Sequence, residues 1–599
     1  MYVHKFESSM KIFRMKYVKF LFIVSIAGII SYACNKKLNQ PSLGGLTEQD
    51  VANKVGVEGL LIGAYSLLDG VGGSKSDPLG SAASNWMYGS ICGSEAYTGS
   101  FPGDGNVSIE RFQSTSTDFS LESKWATVYD GIQRTNEVLR TMKLATDIPK
   151  NDQKRIAAEA RFLRAHYHFE AKKMWNHVPF IDETITYAAG NYYVANDSEI
   201  WPDIENDLRY AIDNLSPAPF GGAVGRANKY TAMALLAKAY LFQKKFTDAK
   251  PLLDSVINSG IYQLVNYGDN FNPATKNNAE SVFSAQSSVN DGSDGFNGNL
   301  GDVYNFPFGG GPGGCCGFFQ PSQYLVNHFK TDPAAGLPDL DHYNDVDIKN
   351  DEGIESSESF TPYAGTLDPR LDWTVGRRRM PYLDWGNHPG KDWIRDQDNG
   401  GPYSPKKNVF YQSQQGHLTD AAFWSTNATA NNVNLIRYAD VLLWAAEVET
   451  EIGSLDKAEE YVNMIRNRAA DPTGWFHTYM DPNDPAKGFT NIPAANYFIK
   501  PYPAGYFTAQ GREYSRKAVR YERMLELGME GHRFFDLVRW GIADTEINAY
   551  LQKEKKLRTY LNSLIFKKGC NEYFPIPQTQ IDLSAGSDGV RKIKQNQCY

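Results

Sequence analysis

The sequence of 599 residues has little excess charge of either sign and no long basic run. It contains 61 Lys and Arg residues against 69 Asp and Glu residues, a formal net charge of −8. This balance argues against binding to the phosphate backbone of a nucleic acid. Gly (52) and Pro (29) occur at ordinary frequency, which excludes collagen-like and low-complexity chains. With 42% hydrophobic residues, the chain is expected to bury a large core.

Long apolar runs are almost absent as well. Residues 20–30 (FLFIVSIAGII) follow a basic stretch at 11–19, but a membrane-spanning helix needs about 20 apolar residues. The arrangement is typical of a secretory signal peptide. Ala33 precedes Cys34 as in a bacterial lipobox, so we expect residues 1–33 to be removed, Cys34 to be lipidated and residues 34–50 to form a tether. An ordinary signal peptide cleaved near Ala33, with Cys34 incidental, is the alternative.

Cysteine is scarce. An odd number of cysteines remains after Cys34, and in an exported protein this leaves at least one unpaired or joined to a partner. Cys315 and Cys316 are adjacent, which suits neither an ordinary disulfide nor the CxxC spacing of a zinc site. We therefore expect no metal site built on cysteine. A bridge between Cys570 and Cys598 is one possibility, and Cys92 is the remaining cysteine.

Helical patterns dominate the rest of the chain. Apolar residues recur at helical spacing in 51–69, 121–143 and 152–176. Residues 228–260 and 437–469 repeat one another, and each has alanines 12 residues apart across a short turn, where two helices can approach closely. Each copy resembles a tetratricopeptide hairpin. We predict a mainly α helical scaffold with tetratricopeptide-like helix hairpins.

A long stretch between the two repeats lacks this periodicity. Residues 266–433 are rich in Gly, Asn, Asp, Pro, Ser and aromatic residues. Loops of this length are usually functional or disordered, and the aromatic content argues against disorder. We predict a loop-rich insertion with short strands, a suitable place for ligand binding. The remaining divisions are 51–265 and 434–599.

Three glutamates recur every fourth residue in 521–541 (YERMLELGMEGHRFFDLVRWG). Glu522, Glu526 and Glu530 would share one helical face. Such a row could ligate a di-metal centre, but those centres need Glu-x-x-His from facing helices. A charge network is therefore the preferred interpretation. Its nearest predicted partners are Arg523, Arg533 and Arg539.

The 521–541 segment closely resembles the hallmark sequence of the SusD/RagB family of outer-membrane nutrient-binding lipoproteins. Other segments agree with the family pattern in the same order along the chain, and 266–599 together corresponds to its RagB/SusD domain. They are 161–181 (RFLRAHYHFEAKKMWNHVPFI), 368–376 (DPRLDWTVG), 434–449 (NLIRYADVLLWAAEVE), 574–582 (FPIPQTQID) and the terminal QNQCY.

The resemblance implies a non-catalytic protein, lipid-anchored at the outer membrane and facing the cell exterior. Such a protein captures oligosaccharides or polysaccharides and closes as a lid over a SusC-like TonB-dependent transporter, without a cofactor or metal. Lys36 and Lys37 stand where members often carry acidic residues, so a periplasmic orientation stays open. Peptides or another nutrient are the alternative ligands. A glycoside hydrolase and a helical-repeat interaction scaffold are less favoured functions.

Two segments carry the candidate ligand contacts. The resemblance places such contacts in the loop at 84–99, where flat aromatic faces and planar polar groups could hold a sugar ring. A second candidate segment is 305–329, whose aromatic pair could instead be core anchors. For the loop at 84–99, the equally favoured alternative is that its aromatic residues pack the loop onto the scaffold. The candidates are Asn85, Trp86, Tyr88, Glu95 and Tyr97 in the first segment, Phe318 and Phe319 in the second, and Trp385, with Trp373, Trp393 and Trp424, in the insertion.

Overall fold

The computed structural model describes residues 48–71, 80, 85–101, 103, 106–407, 409–422 and 428–599. The predicted signal peptide, Cys34 and Trp424 lie outside the described residues. Inside those ranges, none of the helices has both the length and the apolar character that a membrane crossing requires.

Long helices form the scaffold, and short helical segments decorate it. The predicted helices at 51–69, 121–143 and 152–176 are confirmed as the first three. The long helices are α1 (Lys54–Ser66), α2 (Phe119–Leu144), α3 (Lys150–Trp175), α4 (Trp201–Asn214), α5 (Lys229–Phe242), α6 (Phe246–Asn258), α7 (Tyr438–Ile452), α8 (Leu455–Ala470), α9 (Arg512–Leu527), α10 (Arg533–Trp540) and α11 (Ala543–Glu554). The short ones are Trp86–Ile91, which is a π-helix, Val107–Glu110, Gln323–Asn327, Leu371–Thr374, Gln397–Gly400, Tyr506–Gln510 and Gln578–Leu583.

Polar residues begin several of these helices by capping free backbone N–H groups. The Asn53 side chain accepts from the Gly56 N–H at 3.0 Å. Asn228 accepts from the first turn of α5, and Ser454 accepts from the first turn of α8. The starts of these helices are therefore set by local capping residues. The face that each helix buries is set by packing against its neighbours.

The two predicted hairpins are confirmed and lie next to each other. Helices α2 to α6 pack each against the next, and α6 packs against α7, so the stack continues across the insertion. The equivalent alanines Ala237 and Ala446 are fully buried, as are Ala249 and Ala458. Small side chains at these positions let each hairpin close tightly.

Strands occur in the described chain as short antiparallel pairs. The pairs are β1 with β3, β2 with β8, β4 with β5, β6 with β7 and β9 with β10. The strands are β1 (Ala96–Gly99), β2 (Ser281–Ala285), β3 (Phe318–Pro321), β4 (Val375–Gly376), β5 (Ser404–Pro405), β6 (Thr419–Asp420), β7 (Ala428–Thr429), β8 (Val433–Arg437), β9 (His477–Tyr479) and β10 (Phe489–Pro493). The described residues of 266–433 form loops, short helices and short strands, in agreement with the predicted loop-rich insertion.

A buried charge network fastens the insertion to the scaffold. From the insertion side, Arg370 contacts Glu522 at 2.7 Å and Glu526 at 2.9 Å, while the Lys407 ammonium donates to Glu530 at 2.7 Å. These five side chains are almost completely buried. The charge-network interpretation is thus supported by observed ion pairs, and loss of any single member would leave its buried partners with fewer compensating charges.

The predicted partners of the glutamate row are wrong. Arg523 pairs with Asp440 and Asp536, because successive helical positions are about 100° apart and it faces away from Glu522. Helix α9 ends at Leu527, so Glu530 lies in the following turn rather than on a helical face. The other two arginines belong to α10 and pair elsewhere: Arg533 with Glu546, and Arg539 with Glu447 and Asp536.

Two disulfides are present in the described chain. Cys570 is bonded to Cys598, which agrees with the pairing considered from sequence, and Cys92 is buried and free. Cys315 is bonded to its neighbour Cys316. The adjacent pair thus forms a vicinal disulfide, a possibility the sequence argument had set aside.

Candidate functional site

The two segments predicted to carry ligand contacts meet in one ribbon. Strand β1 pairs with β3, with Ala96 opposite Pro321 and Gly99 opposite Phe318. Beyond the strands, the Ser100 N–H donates to the Gly317 carbonyl at 2.9 Å. Residues about 220 positions apart are therefore joined in one buried two-stranded element, which we call the β1–β3 ribbon.

The predicted aromatic candidates in the two segments are buried, either in this ribbon or against it. Trp86 is 3% exposed, and its ring lies 5.3 Å from that of Phe319 and 6.3 Å from that of Phe318. The Trp86 Nε1 donates to the Gly301 carbonyl at 2.7 Å, and the Tyr88 hydroxyl donates to the Ser120 carbonyl at 2.9 Å. In this structure their polar groups and ring faces are used in packing, which is the alternative that the sequence left open.

The polar candidates are also engaged with the scaffold. Asn85 donates to Glu170 at 3.1 Å and accepts from Lys124 at 3.2 Å. The Tyr97 hydroxyl donates to Glu554. Burial raises the pKa of Glu95 to about 7, although hydrogen bonds from Ser90 and from the Met529 N–H, at 3.1 Å, oppose this rise. These groups hold the ribbon in place.

Exposed side chains at the end of the ribbon were missed by the sequence analysis. Phe101, two residues after β1, is 42% exposed. The Arg395 guanidinium lies 4.7 Å from the Phe101 ring centroid and 5.2 Å from that of Phe308, and its Nη1 donates to Ser100 Oγ at 2.9 Å. The sequence held a usable signal for the two phenylalanines. Phe101 lies two residues after the first predicted segment, and Phe308 lies within the second. Arg395 comes from a distant loop and had no local signal.

The glycine-rich loop at 309–317 supports this exposed surface. Gly311 has φ near +60°, and a side chain there would collide with the Trp393 ring. The Phe308 N–H donates to the Trp393 carbonyl at 3.0 Å. Trp393 is thus buried under the loop, while Cys315 is exposed at its edge. Glycine here permits a close approach that orients Phe308.

The other tryptophan candidates lie elsewhere in the insertion. Trp385 is half-buried, donates from Nε1 to the Phe410 carbonyl at 2.9 Å and packs edge-on against the Phe410 ring. Trp373 is half-buried in a separate groove. The ribbon therefore brings together the two candidate segments at 84–99 and 305–329. The structure does not bring Trp373 or Trp385 into contact with the residues at the end of the ribbon, Phe101, Phe308 and Arg395.

The residues at the end of the ribbon suit a hydroxyl-rich ligand. Aromatic faces pack on the C–H faces of sugar rings, and a guanidinium presents several donors in one plane. Only one donor of Arg395 is used by a hydrogen bond within the described residues. Across the same part of the chain, no group of three or more His, Cys, Asp or Glu residues is arranged to hold a metal ion.

Comparisons with known proteins identify the family. A sequence model described as "SusD family" matches residues 279–599, more than half of the chain, and one described as "Starch-binding associating with outer membrane" matches residues 63–241. The curated "SusD-like protein P25" of Formosa agariphila is 26% identical over 440 residues, 71% of each chain.

Solved structures agree on the fold. A SusD superfamily protein from Bacteroides vulgatus has a TM-score of 0.63 at 19% identity, covering 91% of this chain and 99% of that one. Surface glycan-binding protein A from Bacteroides thetaiotaomicron, in complex with laminarihexaose, has a TM-score of 0.62 at 18% identity with the same coverage. The predicted mainly α, SusD-like fold is confirmed. The chain belongs to the SusD family.

Proposed function

We propose that this protein is a non-catalytic glycan-binding protein that captures oligosaccharides or polysaccharides at the cell surface. The observation that carries the proposal is the arrangement of the exposed Phe101 and Arg395 with the half-buried Phe308 at the end of the β1–β3 ribbon. It offers ring faces and unused planar donors side by side. The laminarihexaose complex of a structural neighbour supports a glycan as the ligand class.

The expected affinity is modest. An aromatic contact contributes about 0.5–1.5 kcal/mol beyond the area it buries, and a hydrogen bond to a charged group about 1.5–3 kcal/mol. Phe101, Phe308 and Arg395 together therefore hold a sugar chain reversibly rather than permanently. Reversible binding suits a protein that must pass its ligand on.

The location and partner are part of the same proposal. Cys34, after the apolar run at 20–30, would carry the lipid anchor, and the family description associates such proteins with the outer membrane. A SusC-like TonB-dependent transporter would receive the glycan, with this protein as its lid. Replacement of Cys34 by Ala should move the protein from the membrane fraction to the soluble fraction. Continued sedimentation with membranes would contradict the anchor.

Calorimetry with defined hexasaccharides tests the binding site. The probes are laminarihexaose, maltohexaose and cellohexaose. Phe101→Ala should weaken binding of the preferred probe about fivefold to tenfold, and Arg395→Ala should weaken it at least as much. Tyr187→Ala is the matched control, because Tyr187 is also an exposed aromatic residue but lies between α3 and α4.

Three outcomes would overturn parts of the proposal. Equal binding by the wild type and both ribbon variants would place the site elsewhere. Binding to an oligopeptide mixture, but to no saccharide, would replace the glycan with a peptide ligand. Appearance of new reducing ends during incubation would contradict the non-catalytic assignment.

A further inference from the structure

A second concave surface lies between the insertion and the C-terminal region. It is a cavity of about 260 Å³ that we call the Trp373 groove. Segment 266–269, the helix Leu371–Thr374, Tyr411 and strands β9 and β10 contribute its walls. Its aromatic and polar residues include Asp269, Trp373, Tyr411, Phe476, His477 and Phe489.

The aromatic walls are held firmly in position. The Trp373 ring centroid lies 4.1 Å from that of Phe476, and its Nε1 donates to the Gly474 carbonyl at 2.8 Å. A side chain at Gly268 would collide with the Trp373 ring, so the indole packs directly on backbone. Phe489 is stacked on Tyr479 at 4.9 Å. Trp373 and Phe489 nevertheless stay partly exposed to the groove, as a binding platform must.

The polar groups of the groove have capacity left for a ligand. The Asp269 backbone is fixed, since its N–H donates to the Asn266 carbonyl and its carbonyl accepts from Thr275. Its carboxylate receives no hydrogen bond or ion pair from the described residues, and burial raises its pKa. The His477 imidazole is likewise without a hydrogen-bond partner among those residues. A carboxylate and an imidazole can both pair with hydroxyl groups.

The charge of the groove restricts the ligand class. Among its described lining residues, Asp269 is the charged side chain and neither Lys nor Arg is present. An anionic ligand would therefore meet repulsion without compensation. The volume is slightly below the 300–1,000 Å³ typical of pockets for drug-sized ligands, so it suits one ring.

We propose that the Trp373 groove binds a single neutral pyranose residue through Trp373, with Asp269 and His477 pairing with its hydroxyl groups. The groove uses none of the residues assigned above to the β1–β3 ribbon. If the proposed function holds, two separate contacts on one polysaccharide raise its apparent affinity by avidity. Binding of a monosaccharide in the groove does not rest on that function.

Saturation-transfer difference NMR on the full mature chain tests the groove directly. The probes are the methyl β-glycosides of glucose, galactose and mannose at millimolar concentration. We expect transfer to at least one of them, reduced at least fivefold in Asp269→Asn, which keeps the size of the side chain. Trp373→Ala should abolish it, with circular dichroism verifying that this variant is folded.

Phe101→Ala distinguishes this proposal from the ribbon site. Loss of monosaccharide transfer in Asp269→Asn but not in Phe101→Ala would support the groove, whatever happens to hexasaccharide binding. No transfer from any of the three glycosides, or equal transfer in wild type and Asp269→Asn, would overturn it. Loss of transfer in Phe101→Ala alone would also overturn it, because the monosaccharide would then sit at the ribbon.

Discussion

Arg437 donates a hydrogen bond from Nη1 to Oε1 of Glu526 at 2.6 Å, and each side chain is at most 1% exposed. Burial alone would raise the pKa of Glu526, but the guanidinium groups of Arg468, Arg437 and Arg370 hold it well below its usual range. The glutamate is therefore charged in the core. This pair joins the last residue of β8 to α9, at the point where the insertion returns to the scaffold.

Replacement of Arg437 should lower the free energy of unfolding. Arg437→Ala leaves Glu526 and Glu530 with fewer compensating charges, and breaking a buried pair typically costs about 3–5 kcal/mol. We expect a loss of that size in the free energy of unfolding, measured by urea denaturation. Lys457→Ala is the control, because the Lys457–Glu460 pair is exposed and should change stability by less than about 1 kcal/mol. Similar losses in both variants would contradict the importance of burial.

Glu95 should make the stability depend on pH. Its pKa of about 7 in the folded chain exceeds the value of 4.5 expected without burial, so the unfolded chain loses the proton first. Stability therefore falls as pH rises from about 4.5 to about 7, by about 3 kcal/mol. Glu95→Gln cannot titrate, so this variant should gain stability relative to the wild type over that interval and keep the gain above it.

Unfolding curves collected at pH 4, 6 and 8 check the effect of Glu95. The control variant Glu460→Gln replaces an exposed glutamate and should follow the wild type at each pH. A constant difference between Glu95→Gln and the wild type across the three values would show that Glu95 does not titrate there.

The disulfide between Cys570 and Cys598 should stabilise the fold through the loop that it closes. The two residues are 28 positions apart, and closing a loop of this length contributes about 3–4 kcal/mol in the chain-entropy model. We expect the Cys570→Ser/Cys598→Ser variant to lose that much stability in urea. The pair Cys315→Ser/Cys316→Ser encloses no loop and should show no comparable loss. Equal effects would count against the loop argument.

Gly311 should be needed for the exposed end of the ribbon. Gly311→Ala adds strain at positive φ and a collision with Trp393, together costing about 2–4 kcal/mol. Gly353→Ala is matched in φ but meets nothing within 4 Å, so about 1 kcal/mol of strain alone is expected. Hexasaccharide binding should weaken in the first variant only, because the loop that presents Phe308 must shift.

The helical scaffold could be predicted from the sequence because its signals are local. Caps such as Asn228 and the buried alanines at 237 and 446 are encoded within one or two turns. The ion-pair partners of Glu526 could not be predicted, since Arg370 and Arg437 lie 156 and 89 positions away. The same limit applies to the site: Trp86 and Phe101 look alike in sequence, and only tertiary packing decides which ring is buried.

The pairing of β2 with β8 has a consequence for how such a protein can change. Ser281 lies opposite Arg437 and Ala285 opposite Val433, so the chain leaves the scaffold and re-enters it at one place. Exposed loops between them can change in length without moving α6 away from α7. The anchoring positions, such as Arg370 and Lys407, must be kept, as must the insertion residues that belong to the core, such as Phe329 and Leu371. Ligand preference can then diverge in the exposed loops while the helical framework stays constant.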